Sequence, residues 1–207
     1  MKIAIEAQRI FRPNKHGMDF VALETIRELQ KRNDGNQYYV IVAPGEDRCL
    51  ENSANLSIIE VKYPTYPLWE QIGLPQAIKR LGVDLLHCTS NTAPLWCPVP
   101  LVLTLHDIIY LEPRQHRSPS LYQEMGWFYR RLVVPHIIKK CKKIITVSHF
   151  ECNCIQQALK IPVDQITTVY NGYSAHFRIQ KETDMAIVQK YIPEKDFLFF
   201  LGNTDPK

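Results

Sequence analysis

No two of the six cysteines in this 207-residue chain form a CxxC pair; they stand at Cys49, Cys88, Cys97, Cys141, Cys152 and Cys154. Cys152 and Cys154 lie two apart on a predicted helix, so they point to different faces. A zinc site and a disulfide framework are both disfavoured, and free thiols suit a reducing cytoplasm. Cys88 falls in an apolar strand context and reads as a small buried hydrophobe. No apolar run approaches the roughly 20 residues needed to cross a bilayer. The apolar run in the opening MKIAIEAQRIF is too short for a signal peptide. GxGxxG is also missing, which disfavours a dinucleotide cofactor. No internal repeat or low-complexity segment occurs. A soluble, cytoplasmic protein is expected, with no metal and no bound cofactor.

What is present is an α/β pattern. Hydrophobic residues make up 45% of the chain, enough to bury a full core, and the length suits one domain plus a fragment. Short apolar runs at 2–7, 38–43, 56–62, 84–88, 101–105, 144–147 and 166–170 are rich in β-branched or aromatic residues. Gly, Pro, Asn or Asp bound them, as for strands buried on both faces. An eighth run covers 197–201. Between them lie helix patterns. Residues 18–32 place Val21, Ala22, Thr25, Ile26 and Leu29 on one stripe. Residues 68–81 read as a helix that Pro75 breaks or kinks. Residues 120–140 form a long aromatic and basic helix, kinked near Pro135. Residues 148–160 open on Ser148 and Glu151 at capping-box spacing. A further helical stretch covers 184–191. This alternation predicts a Rossmann-like parallel sheet with helices on both faces and right-handed crossovers.

The formal net charge is +4, but its distribution says more. Residues 114–143 hold eight Lys or Arg (Arg114, Arg117, Arg130, Arg131, Lys139, Lys140, Lys142, Lys143) and one acid, Glu124. The rest of the chain is slightly acidic. Such a segment suits a polyanion or an anionic membrane surface, and a solvated helix face would look the same. Trp127, Phe128 and Tyr129 adjoin Arg130 and Arg131, a combination that also stacks nucleic-acid bases. They fall inside a helix that needs core residues, so core is the better reading and no nucleic-acid partner is expected.

Candidate chemistry sits at predicted strand ends, where open α/β sheets bind ligands. The first strand leads through residues 8–17 straight into a helix. A helix N-terminus there suits a diphosphate. Gly17 admits a close backbone approach, while Arg9, Arg12, Lys15 and His16 add positive charge. An ordinary βα loop would have the same composition. The strand 101–105 delivers His106 and Asp107. His106 could donate a hydrogen bond to a sugar hydroxyl or phosphate, and Asp107 could orient it or act on a hydroxyl. An N-cap Asp beside a chance His would look alike. Thr89, Ser90 and Asn91 follow another strand and suit sugar hydroxyls, as would any polar turn before Pro94.

Taken together, the segments resemble the retaining GT-B glycosyltransferases of group 1, or family 4. KIAIEAQRI…HGMDFVALETIRELQK looks like the opening strand, glycine loop and first helix. LVLTLHDIIYLEP looks like the T-x-H-D strand end. FYRRLVVPHIIKKCKKIITVSHFE looks like the basic helix, strand and next helix start. ITTVYNGYSAHF looks like the crossing toward a second domain, and FLFFLGNTDPK like that domain's first strand.

The resemblance implies an acceptor-side domain over 1–195, the first strand of a C-terminal nucleotide-sugar domain over 196–207, and a nucleotide sugar as co-substrate. By position it places Gly17 and His16 at the donor diphosphate and His106 beside the transferred sugar. Asn171 and Gly172 fall near the passage between domains, and Lys207 at the leaving diphosphate. Arg9, Arg12, Thr89 and Ser90 are then candidates for the acceptor, a glycan or lipid-linked molecule. The family's loop has two adjacent small residues where this chain has His16-Gly17. Its E-x7-E carboxylate pair is absent, since no Glu here has another eight positions on. Residues 1–207 are therefore expected to transfer no sugar by themselves. A non-catalytic module that binds an anionic glycan or lipid head group is the alternative.

Overall fold

The computed structural model describes residues 1–113, 121–173 and 189–192. Outside them fall the runs 197–201 and most of 184–191, together with Arg114, Arg117 and Lys207. The chain divides into two compact units, Met1–Asn171 and Gly172–Lys207. The first unit is a Rossmann-like α/β domain. Seven strands form its sheet: β1 (Lys2–Glu6), β2 (Gln37–Val42), β3 (Leu56–Glu60), β4 (Leu85–Cys88), β5 (Leu101–Thr104), β6 (Cys141–Thr146) and β7 (Ile166–Thr168). Their order is β3-β2-β1-β4-β5-β6-β7, and every neighbouring pair is parallel.

Alternation along the strands sorts the core onto the two sheet faces. On β1 and β2, Ile5, Val40 and Val42 join Ala22, Leu23 and Ile26 of α1 (Gly17–Gln30). Ala4 and Ile41 turn the other way, into a cluster with Leu86, Leu103 and residues of the later helices. The stripe of α1 differs from expectation by one member. Leu23 is buried and Thr25 is exposed, its hydroxyl donating back to the Val21 carbonyl at 2.7 Å.

Pro75 does not break its helix. The segment starts as α2 (Tyr66–Leu68), widens into a π-helical turn over Trp69–Gly73, and continues as α3 (Leu74–Leu81). In the wide turn Leu74 N–H donates to the Trp69 carbonyl five residues back. That relieves the clash and missing donor a proline brings to a regular ladder. Gly73 is required here, because a Cβ would meet the Tyr63 ring at 2.6 Å.

The long helix α4 (Leu121–Ile137) keeps Pro135 inside it and tightens into a 3-10 turn over Ile138–Lys140. Strand β6 then starts at Cys141, three residues before the expected run. Helix α5 (His149–Leu159) is capped by Ser148, whose hydroxyl accepts from Glu151 N–H at 3.1 Å. Among the described residues, no helix is long and apolar enough to cross a membrane.

Candidate active site

The strand order reverses between β1 and β4, so the loops leaving these strands diverge. In open parallel sheets that divergence opens a crevice at the carboxyl ends. The tips of β1, β4 and β5 converge there and bring together Glu6, Thr89, Asn91 and His106.

Glu6 ends β1 and is almost wholly buried, at 1% exposure. Its Oε1 accepts from Gln8 N–H at 3.0 Å and its Oε2 from Thr89 N–H at 3.3 Å. The Thr89 hydroxyl donates to the Glu6 carbonyl at 2.8 Å. Burial pushes the Glu6 carboxyl up to about 7, with the hydrogen bonds and Arg9 opposing and Glu70 adding to the rise. Thr89 therefore spends its hydroxyl inside the protein, and the half-buried Ser90 is left as the more accessible of that pair.

His106 is buried just past β5. Its backbone N–H donates to Asn91 Oδ1 at 2.6 Å, and its ring Nε2 lies 3.0 Å from the Thr89 carbonyl. A carbonyl only accepts, so Nε2 carries the proton and Nδ1 is the acceptor of the neutral ring. Burial holds the ring below the usual histidine range, with the Thr89 bond and Asp107 opposing. At neutral pH the imidazole accepts at Nδ1, a role different from the donor expected from sequence. Asp107 does not bond to it. The Asp107 carboxylate instead accepts from Ile109 N–H at 3.3 Å, where the 3-10 turn Ile109–Leu111 begins.

In the β1–α1 loop most of the positive charge is paired. Arg12 bonds to Asp19, a buried carboxylate that also accepts from His16 N–H at 2.7 Å. Lys15 bonds to Asp47 and to the Arg12 carbonyl. These two cations fasten the loop to α1 and to the segment after β2. The Arg9 guanidinium lies over the Tyr66 ring, 4.7 Å from its centre. His16 and Gly17 are exposed at the start of α1, and a Cβ on Gly17 would meet nothing within 4 Å. Asn171 and Gly172 are exposed where the two compact units meet in sequence.

A third buried carboxylate, invisible in the sequence pattern, lies nearby. Glu70 sits fully buried in the π-helical turn. Its Oε1 accepts from the Tyr66 hydroxyl at 2.7 Å and the Thr92 hydroxyl at 2.6 Å. Its Oε2 accepts from Tyr129 of α4 and from Gln71 Nε2 at 3.1 Å. Burial raises its pKa, and those four bonds oppose the rise. Of the aromatic trio on α4, Trp127 and Tyr129 pack on the core while Phe128 is 61% exposed. The expectation that all three are core is corrected at Phe128. That residue shares an exposed face with Met125 and Leu132.

A parallel sheet with buried polar groups gathered at its reversal point, and a glycine-led helix following its first strand, defines a Rossmann-like domain of the kind found in GT-B glycosyltransferases. Residues 16–177 match the model for Glycosyltransferase Family 4, and the chain belongs to that family. Among curated proteins, none matches the sequence. Among solved structures, HepE of Anabaena in complex with UDP-glucose matches 92% of this chain and 49% of its own. Its sequence identity is 15% and its TM-score 0.55. A glycosyltransferase from Rickettsia africae matches 94% of this chain and 50% of its own, at 17% identity and a TM-score of 0.53. At such identities the likeness is one of fold, and the chain spans about half the length of these solved structures.

Proposed function

We propose that this chain forms the acceptor-side half of a two-domain retaining glycosyltransferase. The enzyme would move a hexose-type sugar from a nucleotide sugar to a glycan or lipid-linked acceptor, as polysaccharide biosynthesis requires. The observation that carries this reading is the neutral His106 ring, oriented with Nδ1 as acceptor at the end of β5, beside the reversal of strand order. Membership of the family and the UDP-glucose held by HepE support a nucleotide sugar as donor.

In this reading Nδ1 takes the hydrogen of a sugar hydroxyl and fixes the transferred ring. The exposed Gly17 at the start of α1 lets the donor diphosphate approach the helix N-terminus, whose dipole opposes the charge that builds on the leaving group. His16 flanks that approach, and Arg9 and Ser90 meet the acceptor. Asn171 and Gly172 form the passage to a second domain, which would supply a carboxylate pair and further cations for the nucleotide sugar. No metal is required.

The basic segment would hold the enzyme at the inner face of the membrane. Its support is α4, where exposed Met125, Phe128 and Leu132 continue along one helix face into exposed His136 and Lys139. Transfer assays on the full-length enzyme test the proposal. His106→Ala is expected to cut turnover by about tenfold or more, and to cost only about 1 kcal/mol of stability through the lost ring bond. Near-normal turnover in that variant would sink the reading.

A further inference from the structure

We propose that Asn91 is a positioning residue for His106, holding the end of β5 so that the Thr89 carbonyl locks the imidazole in its Nε2–H form. This rests on the reading of His106 given above. Asn91 is buried, with 2% exposure, two residues beyond the carbonyl that receives the ring proton. It makes two bonds to the neighbouring strand. Its own N–H donates to the Thr104 carbonyl at 3.2 Å, and its Oδ1 accepts from His106 N–H at 2.6 Å. The turn after β4 is thereby stitched to β5 on both sides of Leu105. The ring and its carbonyl partner belong to these two stitched segments, so their 3.0 Å separation depends on the stitch.

The backbone of Asn91 points the same way. Its φ is 68°, in the left-handed region that most side chains avoid and Asn tolerates. That turn brings the side-chain oxygen back onto the β5 end. An Ala would lose the acceptor and strain the backbone at once. A Gly would lose only the acceptor. Without Oδ1 the buried His106 N–H has no partner in the protein, and an unpaired buried donor is costly enough to shift the segment. Glu6 supports the other end of the lock through the Thr89 N–H and hydroxyl bonds.

The lock has a chemical consequence. A neutral ring held by Nε2–H offers only a lone pair at Nδ1. It selects a hydroxyl, which can donate, and disfavours a phosphate oxygen, which cannot. A ring free to swap tautomers loses that selection, and a histidine in the wrong tautomer is a poor catalyst.

The test is nuclear magnetic resonance of the full-length enzyme labelled with ¹⁵N-histidine, the His106 ring being assigned by its disappearance in His106→Gln. Two-bond proton–nitrogen correlations distinguish the tautomers. Above its titration the wild-type ring is expected to show Nε2–H alone. Asn91→Gly is expected to show both tautomers, with kcat for sugar transfer down about tenfold or more. Asn91→Asp keeps the acceptor and suits the backbone. It should restore the single Nε2–H pattern and raise the pH at which the ring takes a second proton. An Nδ1–H ring in the wild type overturns the proposal without recourse to any variant. A pure Nε2–H pattern in Asn91→Gly, or an unmoved titration in Asn91→Asp, also overturns it. Mixed tautomers with undiminished transfer uphold the positioning and instead remove His106 from the reaction.

Discussion

The hydroxyl of Tyr129 on α4 donates to Oε2 of Glu70, which lies 59 positions earlier in the chain. One buried carboxylate thus ties the long basic helix to the π-helical turn, while Thr92 ties the same carboxylate to the loop after β4. Removing one partner of such a group costs more than the bond itself, because the carboxylate stays buried. Tyr129→Phe is expected to lower stability by about 1–3 kcal/mol. Denaturant titration reads it as a lower midpoint with an unchanged slope. An unchanged midpoint would show that α4 is held by packing alone.

Glu6 predicts a pH dependence of stability. Burial pushes its carboxyl from the ordinary 4.5 up to about 7 in the folded protein. Between those values the folded state holds a proton that the unfolded state has released. Stability from this group is therefore fully present below pH 4.5 and is lost as pH rises toward 7, by about 3 kcal/mol at most. Glu70 acts in the same direction. Glu6→Gln does not titrate, so its stability should fall less than that of the wild type between pH 5 and 7. Parallel curves for the two proteins would contradict the assignment.

A substitution at Gly17 is expected to separate function from folding. A methyl group there meets nothing within 4 Å of its own domain. Gly17→Ala should keep the melting temperature and yet weaken donor affinity, because the Cβ occupies the approach to the start of α1. Calorimetric titration with UDP-sugars on the full-length enzyme measures it. Residues 1–207 alone should show no micromolar donor affinity. One helix N-terminus contributes about 0.3–2 kcal/mol, and even millimolar binding needs about 4 kcal/mol.

The face of α4 predicts lipid selectivity. Flotation with vesicles containing anionic lipid should recover the protein, and neutral vesicles should not. Each basic residue at an anionic surface contributes about 1 kcal/mol, and the attraction is screened by salt. Replacing Phe128 and Leu132 by Ser should weaken recovery without changing the salt dependence. Equal recovery on neutral vesicles would exclude the charge-led attachment.

The architecture was largely legible in the sequence. The strands announce themselves as short apolar runs, because the central ones are largely hidden on both faces and need no strict polar alternation. The strand-end rule put His106 and the turn at Thr89 and Asn91 among the candidates, and the structure brings them into contact. Glu6 and Glu70 were not legible. Glu6 looks like the polar end of an apolar run, and only the register of β1 against β4 shows that Thr89 covers it. Glu70 is hidden by helix phase. A regular helix over 68–81 gives no sign that the π turn takes in an extra residue and turns Glu70 inward beside Trp69. The pairing of Arg12 and Lys15 was missed for a related reason. Their carboxylate partners lie 7 and 32 positions away, and no local pattern links them.

The central place of β1 bears on how the chain folds during synthesis. β1 is made first and finds β2 about 35 residues later, as Met1 meets Asn36 and Gln37. Its other edge has to wait for β4, with Lys2 meeting Asp84 across 82 positions. A nascent chain of about 80 residues therefore exposes an apolar strand with an open edge in the middle of its future sheet. Such edges pair with whatever strand arrives first, including one from another ribosome. The arrival of residues 85–88 closes that edge, so the speed at which 43–84 are translated governs how long the half-made sheet is at risk.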